Sequence, residues 1–170
     1  MVANLSAHKR GWDDRWQEFS VMAERGQKLM GQLMHLIDED TDAFNQIMTA
    51  FGLPKATEEE KAARTAAIQR ATLHAAEVPL ETVRRSFEVF DLCRAMAQEG
   101  NPASVSDAGV GALAARAAVR GAALNVKSNA ASLADKAAAK ALVDQAQSYE
   151  EKAEKLEKEI MTIVDSKIGA

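Results

Sequence analysis

One cysteine, three prolines and nine glycines are spread over 170 residues, and aromatic side chains make up only 5% of the chain. A lone Cys93 closes no internal disulfide, which fits residence in a reducing cytoplasm. The scarcity of proline, glycine and aromatics, beside abundant alanine, disfavours a turn-rich sheet protein and predicts an all-α fold. No apolar run approaches the ~20 residues of a membrane span, and the N-terminus has no signal-peptide core. The net charge of −4 comes with no basic stripe, which argues against nucleic acid as the main partner. Glycine-rich phosphate loops, CxxC pairs and HExxH are all missing. His8, His35 and His74 show no ligand spacing, so no metal is expected. Cys93 falls on the apolar face of a predicted helix with no activating neighbour in sequence, which speaks against a nucleophile.

What is present is a set of long helical patterns, enough for a single domain over residues 1–170. Residues 1–11, with the basic cluster His8-Lys9-Arg10, read as the tail of an element rather than a start. Apolar steps of three and four from Trp12 to Phe51 predict one helix of about 40 residues, ended by Gly52-Leu53-Pro54. Thr57 and Glu60 form a capping box opening a second helix to about Ala76, and Pro79 predicts a break or kink near Val78. A third helix then runs Pro79–Gln98, with its stop at Glu99-Gly100-Asn101-Pro102. A fourth begins at Ser104 or Ser106 and is so rich in alanine and glycine that close enclosure is expected. Asp107 and Asn125 share a face of it about 27 Å apart. They suit two ends of a groove, two sites of a dimer, or plain capping and interhelical hydrogen bonds. The last helix, about Asp135–Lys167, carries a heptad seam from Ala146 to Ile163 that reads as core or subunit contact.

The segment Asp38–Phe44, DEDTDAF, stands out. On a helical wheel Leu33, Leu36, Ile37, Phe44 and Ile47 form one stripe, and Asp40 lies about 20° from both Leu33 and Ile47. Asp38 and Asp42 project from the opposite face. A carboxylate on an apolar stripe is either a paired or interfacial polar group or a desolvated acid. Desolvation there disfavours its charged form and equips it as a general acid or base.

Several strings together resemble the formiminotetrahydrofolate cyclodeaminase family, which includes methenyltetrahydrofolate cyclohydrolases. They are LIDEDTDAFNQIM and LPKATEEEKAAR, then EVPLE at 77–81, GNPASVSDAGVGA at 100–112 and GAALNVK at 121–127, covering about residues 1–130. The resemblance implies a bundle of long helices in an intertwined homodimer. It also implies conversion of 5-formiminotetrahydrofolate to 5,10-methenyltetrahydrofolate and ammonia by an ammonia-lyase, or hydrolysis of the same methenyl bridge by a cyclohydrolase. Asp40 matches the second acid of the family's D-x-D motif, the catalytic one. The tetrahydrofolate derivative enters as substrate, and its anionic tail needs cations, for which Lys9, Arg10, Lys55 and Lys127 are candidates. Asn101, Ser106, Asp107 and Asn125 in the matching strings are the other substrate-binding candidates. In the family a PGGGS segment and a small-residue helix precede the stretch matching MVANLS, where this sequence begins. A reduced relative serving as an inactive helical scaffold, or as partner of a formiminotransferase, is the alternative this implies.

Overall fold

The structure, a computed structural model, describes residues 1–169. Five helices run α1 Val2–Ala7, α2 Trp16–Phe51, α3 Glu58–Glu99, α4 Val105–Ala130 and α5 Lys136–Ile168, with a 3₁₀ turn at Pro102–Ser104. No strand occurs among the described residues. Successive long helices pack antiparallel as a bundle in which α3 touches α2, α4 and α5, with α5 parallel to α3. Within residues 1–11, Val2–Ala7 is helical, and α2 begins at Trp16 rather than Trp12. Ser6 anchors α1. Its buried hydroxyl donates to the Val2 carbonyl and accepts from the Asn101 backbone N–H at 2.8 Å, which ties α1 to the turn before α4.

The starts and stops follow local chemistry. Thr57 Oγ1 accepts from the Glu60 N–H at 3.1 Å, while Glu60 Oε2 accepts from the Thr57 N–H at 3.1 Å, completing the capping box. Gly100 follows Glu99 because a Cβ there would lie 2.5 Å from the Met96 carbonyl oxygen. Asp135 Oδ1 accepts from the Ala137 and Ala138 N–H groups and opens α5.

Of the break or kink expected near Val78, the break does not occur; α3 is continuous through Pro79 for 42 residues. Proline at this position withdraws the donor that the Ala75 carbonyl, four residues back, would otherwise meet. That carbonyl accepts instead from Asn129 Nδ2 on α4 at 2.6 Å. The orphaned acceptor is thus satisfied from outside the helix, which removes the main reason for a break.

Core packing depends on small residues. Ala112, Ala123, Ala146 and Ala153 are fully buried with Val83, Phe90, Val119 and Ile160. A Cβ on Gly111 would sit 3.0 Å from Cys93 Sγ, and one on Gly109 would sit 3.3 Å from Val164, so α4 approaches both α3 and α5 closely. One face of α4 is nevertheless open, including Asp107, Val110, Leu113, Leu124 and Asn125. Replacing Asn129 by alanine strands the Ala75 carbonyl and is expected to cost about 1–3 kcal/mol in denaturant unfolding. Adding Pro79→Ala, which restores the helix's own donor, should recover part of that loss; strict additivity of the two changes contradicts the coupling.

Candidate functional site

On α2 the apolar residues divide in two. Leu29, Leu36, Ala43 and Ala50 are buried, with Leu33 and Ile47 half-buried beside them. A second set, Met30, Met34, Ile37, Phe44, Met48 and Phe51, is more than half exposed. With Thr41 it repeats in steps of four and three along the helix. The sequence stripe that joined Leu36 to Ile37 and Phe44 is therefore only partly covered. Asp40 is exposed in the single chain, contrary to the expectation of a desolvated carboxylate. The reason is angular: α3 covers the arc centred on Leu36 and Ala43, and Asp40 lies about 40° from Leu36, between that arc and the uncovered one. Asp38 and Asp42 are exposed as expected, and Glu39 pairs with His35 at 3.1 Å.

The other candidates do not gather around Asp40. Asp107 enters a cavity of about 270 Å³ between α1, α2, α3 and α4, walled by Met22, Met30, Leu92 and Cys93. Asn4 and Gln27 are its other polar side chains. Burial pushes the Cys93 thiol up to about 11, in keeping with a packed rather than a nucleophilic cysteine. Asn101 Oδ1 caps the 3₁₀ turn through the Ala103 N–H at 3.2 Å. Ser106 is exposed in the first turn of α4, not at its cap, which is Ser104. Asn125 is exposed toward the other end of α4. Neither Asp107 nor Asn125 makes a side-chain hydrogen bond among the described residues, so the capping alternative finds no partner. Lys9 sits over the Trp12 ring at 4.1 Å, Arg10 lies exposed in the turn that follows α1, and Lys55 is exposed at the α2–α3 tip.

Lys127 donates to Glu150 Oε2 at 2.5 Å, and Glu150 is a buried carboxylate on α5 with Arg120 at 3.8 Å on its other oxygen. Sequence reasoning did not single out Glu150, Gln27 or Asn4. The spacing of Lys127 and Glu150, on separate helices, gave no signal of the pair.

This arrangement defines an all-α bundle that carries a small polar-mouthed cavity at one end and an acidic segment further along the same helix. The model for formiminotransferase-cyclodeaminase matches residues 1–148, and the chain belongs to that family. A methenyltetrahydrofolate cyclohydrolase of Methylorubrum extorquens is 40% identical over 169 residues, which is 99% of this chain and 81% of that protein. The formimidoyltransferase-cyclodeaminase of Gallus gallus is 33% identical over 135 residues, and the match spans only 25% of its length. The crystal structure of a formiminotetrahydrofolate cyclodeaminase from Thermotoga maritima superposes with a TM-score of 0.84 at 23% identity, covering 99% of this chain and 80% of that one.

With its thiol held protonated, Cys93 should resist alkylation in the folded protein at pH 8 and react once the chain is unfolded in denaturant, as followed by mass spectrometry. Rapid labelling of the native protein contradicts its burial.

Proposed function

We propose that the chain is a folate enzyme acting at the carbon bridging N5 and N10 of tetrahydrofolate, with Asp40 as its general acid and base. The observation that carries this reading is the position of Asp40 on α2, bordered on one side by a covered apolar arc and on the other by an uncovered one. Any surface that covers the second arc also removes water from Asp40. The 40% identity to a methenyltetrahydrofolate cyclohydrolase over nearly the whole chain favours hydrolysis of the methenyl bridge. In that reaction the Asp40 carboxylate takes a proton from water as the oxygen adds to the amidinium carbon. The neutral tetrahedral adduct then breaks its bond to N5 as Asp40 returns the proton to that nitrogen, and the adduct's hydroxyl proton leaves to water, giving the formyl group on N10 and the one net proton of the hydrolysis. The name shared by the family model and the animal relatives supports cyclodeamination as the second reading. There N10 adds to the formimino carbon, and Asp40 protonates the nitrogen that leaves as ammonia. Both reactions ask one positioned carboxyl group to move one proton, a task that contributes typically ~10²–10⁴-fold.

The protein acts as a homodimer in this account. Six large side chains, each more than half exposed on one helix face, present roughly 600–800 Å² of apolar surface, more than most monomers carry in one patch and close to one side of a standard interface. The amphipathic repeat of Met30, Met34, Ile37, Thr41, Phe44, Met48 and Phe51 suits a second α2 laid alongside. A formiminotransferase, where the route runs through the formimino group, is the partner that supplies the substrate, and the single buried thiol suits a reducing cytoplasm.

Purified protein given 5,10-methenyltetrahydrofolate and 5-formiminotetrahydrofolate separately should turn over one of them. Asp40→Asn should lower that rate about 10²–10⁴-fold with helix content unchanged by circular dichroism. Full activity of the variant removes the mechanism. No turnover and no saturable folate binding by a folded dimer would instead favour the helical scaffold.

A further inference from the structure

Within the chain, the segment of α2 that carries Asp40 rests on a small support. Leu36 and Ala43, which flank Asp40 in sequence, are buried in one cluster with Ala75 and Val78 of α3, with Leu33 and Ile47 beside them. This cluster is separate from the main core, which reaches α2 only at Phe19, Met22 and Ala23. Ala43 and Ala75 put alanine on both helices, so no long side chain is there to absorb a shift of the α3 backbone. Movement of Ala75 and Val78 is therefore passed to the turn that bears Asp40.

The same turn of α3 is the one that Pro79 weakens. A proline ring presses on the carbonyl four residues back and withdraws its donor, and here that carbonyl belongs to Ala75. Sharp helix kinks, of more than about 20°, are characteristic of such positions. Ala75 lies about 6 Å along the axis from Pro79, so a kink of about 20° moves it by about 2 Å. What restrains it is the half-buried Asn129 of α4, whose Nδ2 donates to the Ala75 carbonyl at 2.6 Å.

We infer that Asn129 is a positioning residue for Asp40: through the Ala75 carbonyl it holds the turn of α3 on which the Asp40 segment of α2 packs. This rests on the folate reading above for what Asp40 does, and on the contacts alone for what holds it in place. A reacting group misplaced by ~1 Å loses about 10²-fold in rate. Groups that bind the substrate elsewhere are left as they were, so the effect falls on kcat rather than on KM.

Asn129→Ala, assayed well below its unfolding midpoint on whichever folate the wild type turns over, should lower kcat about 10–100-fold and change KM less than about twofold. Pro79→Ala gives α3 back its own donor, so Asn129→Ala made in that background should lower kcat less than about threefold. Equal losses in the two backgrounds overturn the inference, because Asn129 then acts without the Ala75 carbonyl. Where Asn129→Ala alone does not fold, a large loss between Pro79→Ala and the double variant overturns it in the same way. Amide hydrogen exchange supplies a second reading that needs no substrate. Peptides from residues 33–50 of α2, to which Asn129 donates no hydrogen bond among the described residues, should exchange about tenfold faster in Asn129→Ala. Adding Pro79→Ala should return them to the wild-type rate. Faster exchange confined to α3 and α4 overturns the inference. Full activity of Asp40→Asn, or no turnover of either folate, defeats the folate reading instead, and the exchange still decides what holds the Asp40 segment.

Discussion

The hydrogen bond from the Asn129 side chain to the Ala75 carbonyl holds together what the rest of the bundle depends on. Pro79 leaves that carbonyl without its helical donor, and an unsatisfied acceptor in a packed interface is costly. With the acceptor met from α4, α3 persists as a single spine from Glu58 to Glu99, and α2, α4 and α5 all pack on it. The same bond fixes the end of α4 against the middle of α3. The Gly111–Cys93 approach fixes the other half of that interface, so α4 has little freedom to slide. The positions of Asp107 at one end of α4 and Asn125 toward the other follow from those two anchors.

A rigid spine also explains why α2 is only half covered. Its buried arc meets α3 from the Gly26–Leu92 level to the Ala43–Ala75 level, and no other helix of the chain lies over the opposite arc. Three of the six exposed apolar residues on that second arc are methionines, whose flexible thioethers adapt to whatever packs against them. Asp40 stands at the margin between the two arcs. Its exposure to water is therefore not limited by its own chain.

Much of this was legible in the residues. The capping box at Thr57, the stop at Gly52, the start of α5 near Asp135 and the α5 seam all rest on local signals, and each appears in the structure. The break at Pro79 was misread because the donor that removes it lies on another helix, 54 residues away in sequence. The stripe around Asp40 is apolar as read, but of the two readings offered, an interfacial polar group or a desolvated acid, the single chain does not supply the desolvation, since periodicity reports which side chains are apolar and says nothing of how wide a neighbouring helix is. Lys127 was taken as a free cation for the same kind of reason, its partner Glu150 being brought in by packing alone. The similarity of motifs to a known family reached further than any of these signals, and the family match over residues 1–148 agrees with it.

The central claim is that covering the open arc of α2 with a second copy creates the active surroundings of Asp40. Specific activity measured over a dilution series, beside the dimer fraction from sedimentation at the same concentrations, tests this most directly. The two curves should fall together as dimer gives way to monomer. Constant specific activity in solutions shown to contain only monomer contradicts the account.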